Sequence, residues 1–224
     1  MRKGIVVAID GPAGAGKSSV AKAVAALSGL TYVDTGAMYR VVGVFAAEQG
    51  IAFTDEVALT SLAQTLTIEF LPGPEQQHVV GNGRDVTEEI RKPDAGKAAS
   101  DVSKILGVRE ALGRVQRSMV DSGGVVMEGR DIGTVIAPHA EVKVFMTASP
   151  ETRARRRVRD LEAAGHPTSV DQVLEGIKAR DAQDQGRTHA PLKPAPDAHV
   201  LDTSEMAFDE VVQTIRSWIE SARS

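Results

Sequence analysis

Ile5-Val6-Val7-Ala8-Ile9-Asp10-Gly11-Pro12-Ala13-Gly14-Ala15-Gly16-Lys17-Ser18-Ser19 is the stretch that decides the fold. Ile5 to Ile9 is a short, continuous, mostly β-branched run, the pattern of a strand buried on both faces in a parallel sheet. Gly11 to Ser18 then matches G-x-x-x-x-G-K-[ST] at every defined position. Glycines let the backbone curl so that successive N–H groups point inward at a polyphosphate. A helical pattern from Lys17 to Leu27, closed by Ser28-Gly29, adds the partial positive charge of its N-terminus. Lys17 supplies a mobile cation for the outer phosphates, and the Ser18 hydroxyl can ligate Mg²⁺. Strand, glycine loop and helix in that order make a phosphate-binding loop for ATP.

Outward from this unit, Tyr32-Val33, Gly124 to Met127, Val142 to Met146 and His199 to Leu201 read as further buried strands. Helical patterns separate them at Ala37 to Gln49, Val108 to Val120, Pro150 to Ala164, Val170 to Gln183 and Phe208 to Ala222, with Thr35 as the expected cap of the first. Strands alternating with helices predict an α/β fold with a central parallel sheet flanked by helices. One segment breaks the rhythm. Leu66 to Leu71 alternates, a Pro-Gly-Pro turn leads to His78-Val79-Val80, and Gly81-Asn82-Gly83 is a tight-turn signal before Arg84 to Thr87. Three short antiparallel strands are therefore expected as an insert over residues 66–93.

Bulk properties narrow the function. The 224 residues are 42% hydrophobic and 25% charged, enough for one well-buried core. A net charge of −4 argues against a protein that coats nucleic acid or a membrane surface. There is no cysteine, so disulfides, thiolate metal sites and cysteine nucleophiles drop out together. Met1-Arg2-Lys3 opens an apolar run too short for a signal peptide, and no stretch approaches the roughly 20 apolar residues of a membrane span. A cytoplasmic protein is expected, with no nucleic-acid or membrane partner. It is expected to be a monomer, because no helix pattern shows a long unpaired apolar face.

A phosphate loop names only the donor. Guanine-specific switches of the usual type carry Asn-Lys-x-Asp, and the single asparagine here, Asn82, precedes Gly83. A kinase of small molecules must hold a second substrate in line with the ATP γ-phosphate. If that acceptor is itself a phosphate, no strong general base is needed, and arginines from several elements should grip it. Asp34-Thr35-Gly36-Ala37-Met38-Tyr39-Arg40 and Glu128-Gly129-Arg130-Asp131 both follow strand patterns, near where ligands bind in such sheets. Arg180, Asp184 and Arg187 share one helix face if the helix persists past Gly186. Arg153, Arg156 and Arg157 share a face of the preceding helix. With aromatics at only 4%, arginines on a lid closing over ATP fit better than a platform for single strands.

The chain resembles the bacterial cytidylate kinases, of the nucleoside monophosphate kinases, along nearly its whole length. The resemblance rests on Ile9 to Lys17, Asp34 to Arg40, Glu89-Ile90-Arg91, Val108 to Leu112, Glu128-Gly-Arg-Asp-Ile-Gly-Thr134 and Arg180-Asp181. It implies a single P-loop kinase domain over 1–224, with the 66–93 insert as the nucleotide-binding subdomain and 153–186 as the lid. It implies ATP at Gly11, Pro12, Ala13, Gly14, Ala15, Gly16, Lys17, Ser18 and Ser19, and the lid reading adds Arg156 and Arg157. The acceptor phosphate is expected at Arg40, Arg130 and Arg187 with Thr35 nearby. Ser100, Arg109 and Asp131 are expected to read cytosine, and Arg180 with Asp184 to hold the sugar. Lys17, Arg130 and Arg187 are the expected catalytic residues, acting on ATP with CMP or dCMP. Glu128 stands where many P-loop kinases keep an Asp, and Ser18 is the favoured Mg²⁺ ligand. A UMP/CMP kinase of broader base choice, or a shikimate-type kinase, is the alternative.

Overall fold

The computed structural model describes residues 4–71, 77–163 and 165–224. The basic start Met1-Arg2-Lys3, the Pro72-Gly73-Pro74 turn and the expected helix end at Ala164 lie outside them. The chain forms two compact units, Met1–Tyr32 with Val120–Ser224, and Val33–Met119.

The first unit is built on the sheet that the opening strand predicts. Strands β1 (Gly4–Asp10), β2 (Thr31–Asp34), β3 (Ile68–Leu71), β4 (His78–Gly81), β5 (Arg84–Asp85), β6 (Gly123–Gly129), β7 (Val142–Thr147) and β8 (His199–Asp202) follow in chain order. The main sheet has five strands in the order β2-β6-β1-β7-β8. β1 runs parallel to both neighbours, pairing Val7 with Val126 on one side and with Val142 on the other. Central β1 is buried on both faces, which explains its unbroken apolar run. Helix α1 (Lys17–Ser28) and the C-terminal helix α8 (Phe208–Arg223) pack their Val20, Val24, Val212 and Ile215 faces with Val7, Val144 and Met146. Gly29 ends α1 in the left-handed conformation expected of it, at φ 66°. β8 was expected to be buried; it is the edge strand instead, and Val200 is exposed. Helices α6 (Pro150–Ala163) and α7 (Val170–Gln185) pack against each other after β7.

The second unit holds α2 (Thr35–Glu48), α3 (Glu56–Thr65), the insert, α4 (Pro93–Val102) and most of α5 (Leu106–Ser122). The insert is a three-stranded antiparallel sheet of β3 (Ile68–Leu71), β4 (His78–Gly81) and β5 (Arg84–Asp85). Asn82 and Gly83 both have positive φ (48° and 76°), the left-handed pair that a two-residue hairpin needs. Its core joins Met38, Val41 and Val42 of α2 to Leu59, Val79, Val102 and Leu112. Gly43 permits the approach of α4 to α2: a Cβ there would lie 2.7 Å from Cβ of Ala98. Two expectations are corrected. Thr35 does not cap α2; the Asp34 carboxylate does, accepting from N–H of Ala37 at 3.0 Å, because Asp34 keeps the extended backbone of the strand end while Thr35 is already the first helical residue. α7 does not persist past Gly186, which caps it. Among the described residues no helix is long and apolar enough to cross a membrane.

Candidate active site

β1 ends at Asp10, and the chain enters the glycine loop. Gly11, Gly14 and Gly16 all have positive φ (149°, 77° and 88°). At Gly11 close approach decides as well, since a Cβ would fall 2.0 Å from the Met146 carbonyl oxygen of β7. Gly16 is the N-cap of α1 and has no side chain to satisfy the helix amides, which leaves them available to an anion. Ser18 and Ser19 are exposed on that first turn.

Lys17 is buried, and its ammonium donates to the Pro12 carbonyl at 2.8 Å across the loop. Burial pushes it down to about 7; Arg130 pushes the same way, while Glu128 and Asp10 oppose and Arg180 adds to the lowering. Lys17 thus sits within the electrostatic reach of four of the charged groups in this unit, from β1, β6, the turn after β6 and α7. Glu128 is buried at the end of β6 and accepts from the Tyr32 hydroxyl at 2.5 Å.

Beyond β6, Arg130 meets α7. The Asp184 carboxylate is fully buried; one oxygen accepts from Nε of Arg130 at 3.0 Å and the other from Arg187. The structure therefore brings Arg130, Asp184 and Arg187 together, although Arg187 lies beyond the helix end. Leu192 N–H donating to the Asp184 carbonyl at 2.9 Å folds the following loop back on α7. Asp131, next to Arg130, is also buried.

α6 contributes two arginines to the loop region. Arg153 donates to the Ala13 carbonyl at 3.2 Å and the Ala148 carbonyl at 2.9 Å, and grips Asp181 of α7 with both terminal nitrogens at 3.0 and 2.6 Å. Arg156 donates to the carbonyl and hydroxyl of Thr203 at 2.6 and 3.1 Å and lies 3.4 Å from the Ala15 carbonyl. Burial lowers the pKa of Arg156, and Arg159 adds to the lowering. Arg157 is exposed on α6.

Thr35, Arg40, Ser100 and Arg109 belong to the second unit. Thr35 is buried at the start of α2. Arg40 pairs with Asp34 at 2.6 Å. The Ser100 carbonyl accepts from the Ser103 hydroxyl at 2.9 Å. Arg109 is buried; its guanidinium donates to the Ser103 carbonyl at 3.3 Å and lies 5.9 Å from the centre of the Tyr39 ring.

Sequence reasoning gave no role to Asp10, Tyr32 or Thr203, each of which touches the loop or its neighbours. Asp10 alone had a signal, standing inside the Ile9-Asp10-Gly11 motif at the strand end. Tyr32 and Thr203 act through partners 96 and 47 residues away, which no local pattern reveals. Chemically, the first unit offers a polyphosphate cradle, a buried lysine and two arginines tied to one carboxylate.

The sequence profile of the family described as cytidylate kinase matches residues 7–221. A cytidylate kinase of Desulforamulus reducens is 48% identical over 217 residues, covering 97% of each chain. A cytidylate kinase of Exiguobacterium sp. is 44% identical over 224 residues, covering 100% of each. Among solved structures, a gluconokinase from Sinorhizobium meliloti aligns with TM-score 0.52 at 14% identity, covering 99% of this chain and 94% of its own; it shares the fold.

Proposed function

This chain belongs to the cytidylate kinase family, and from that premise we propose that it transfers the γ-phosphate of ATP to CMP and dCMP, giving ADP and CDP or dCDP. The observation that carries the proposal is Asp184 holding Arg130 and Arg187 in the same unit as the buried phosphate-loop lysine. Two oriented guanidinia beside a donor cradle suit an acceptor that is itself a phosphate.

In the proposed reaction the loop amides and Lys17 hold the ATP phosphates. An oxygen of the acceptor phosphate attacks the γ-phosphorus, and the bond from that phosphorus to the oxygen bridging the β-phosphate breaks. The acceptor oxygen is already ionised near neutral pH, so the residues position and neutralise rather than remove a proton. Lys17, Arg130 and Arg187 spread the charge that develops on the transferring group. Arg40, with Thr35 nearby, completes the grip on the acceptor phosphate. Ser100, Arg109 and Asp131 read the cytosine edge: a carboxylate accepts from the N4 amino group, and Arg and Ser donate to the ring acceptors. Arg180 and Asp184 hold the sugar.

The exposed Ser18 hydroxyl on the first turn of α1 fits Mg²⁺, which takes few protein oxygens and completes its shell with phosphates and water. When bound, Mg²⁺ would neutralise charge on the β- and γ-phosphate oxygens. Residues 66–93 act as the nucleotide-binding subdomain and 153–186 as a lid, whose Arg156 and Arg157 close over ATP and exclude water. The enzyme works as a cytoplasmic monomer. A coupled ADP-release assay with CMP, dCMP, UMP, AMP, GMP and shikimate as acceptors tests the proposal; ADP release that needs CMP or dCMP supports it, and preference for another acceptor removes it.

A further inference from the structure

Asp10 is the last residue of β1, one position before the phosphate loop, and no step of the proposed reaction uses it. Its carboxylate is nonetheless buried and doubly engaged. One oxygen accepts from N–H of Ile132 at 2.8 Å and the other from N–H of Gly133 at 2.7 Å. These amides open the helical turn Ile132–Ile136, which begins immediately after Arg130 and Asp131. The two neighbouring donors fall on different oxygens of the one side chain. An amide in the same place would turn its NH₂ group toward one of them and leave a buried N–H without an acceptor.

The site is costly for a carboxylate. Burial raises Asp10 to about 6 against the pull of the two amides; Asp131 raises it further and Lys17 lowers it. Lys143 packs only its alkyl stem on this turn, near Gly133, while its ammonium pairs with Asp197 at 2.7 Å. The carboxylate takes one backbone donor on each oxygen and so ties the strand end to a turn 122 and 123 residues further along the chain.

We propose that Asp10 is a positioning residue for phosphoryl transfer: it locks the turn that carries Arg130 and Asp131 in register with the phosphate loop. Asp10 touches neither nucleotide. It acts through the two residues assigned to the acceptor's phosphate and base, and it couples their placement to the strand from which the donor loop springs. The inference rests on the kinase reading of Arg130 and Asp131.

Steady-state kinetics of Asp10→Asn, with each substrate varied in turn, test it. The expected result is a split: KM for CMP rises about tenfold or more, kcat falls, and KM for ATP stays within about threefold of the parent, since a small misplacement costs most where geometry is tightest. The CMP-over-UMP preference should fall as well, because Asp131 loses its anchor. Unchanged constants, or equal rises in both KM values, would overturn the proposal. Amide hydrogen exchange on the unaltered protein gives a reading that needs no variant. Ile132 and Gly133 should exchange as slowly as the amides of β1, and exchange at the rate of an open loop overturns the anchor. If the unaltered protein fails to phosphorylate CMP, the functional reading falls while the exchange result still decides the anchor.

Discussion

Asp184 and Arg130 form an ion pair at 3.0 Å, from segments 54 residues apart, in which the carboxylate is wholly buried. The same carboxylate holds Arg187 through its other oxygen. Its neutralisation removes the anion that both guanidinia share. Asp184→Asn should therefore lower the unfolding free energy by about 3 kcal/mol, the usual cost of breaking a buried pair from one side. Urea denaturation measures this. A loss below about 1 kcal/mol would mean that the arginines find other partners.

Arg130 approaches the proposed transfer site from the turn after β6, whereas the ATP cradle is made by the loop after β1. Arg130→Ala should cut kcat by on the order of a thousandfold, as loss of a charge-stabilising arginine does in phosphoryl transfer. ATP affinity, read by equilibrium titration, should stay within about threefold, since the cradle amides and Lys17 remain. A variant with full turnover would take Arg130 out of the mechanism.

Asp131 is assigned the N4 amino group of cytosine, which uracil lacks. Asp131→Ala should shrink the ratio of CMP to UMP rates toward one, because the acceptor assigned to the N4 amino group is gone. Rates measured side by side on both acceptors check this, and a preserved ratio would show that another residue reads the base.

Asp10 gives the protein a pH signature. Its pKa is raised from 3.8 unfolded to about 6 folded, so between these values the folded state binds a proton that the unfolded chain has released. The stability this supplies is present below pH 3.8 and is lost as pH rises through 6, in total about 3 kcal/mol. The difference in unfolding free energy between the parent and Asp10→Asn should therefore change across that window and level off above it. A difference that is flat from pH 4 to 7 would place the carboxyl in a less costly environment.

Where function depends on local grammar, the sequence was readable. The buried run before Gly11, the glycines that need positive φ, and the Gly81-Asn82-Gly83 turn each announce their conformation through residue type alone. α3 and α4 passed unnoticed for physical reasons. α3 exposes Val57 and buries only Leu59, Leu62 and Ala63, so its apolar stripe is thin. α4 buries Ala95, Ala98, Ala99 and Val102, a face made mostly of alanine in which only Val102 is a large apolar residue. The spacing puts Arg180, Asp184 and Arg187 on one face only if the helix persists past Gly186; it ends there, and the ion pair is what keeps Arg187 with Asp184. That Asp184 also holds Arg130, and that Asp10 holds the turn after Arg130, depend on contacts between distant segments. Only the fold discloses them.

The most direct test of the account is the rate of ADP release with ATP, Mg²⁺ and each acceptor in turn. CMP and dCMP should drive release well above UMP, AMP, GMP and shikimate, with little release when no acceptor is present. Release led by UMP or shikimate, or unaffected by any acceptor, would contradict it.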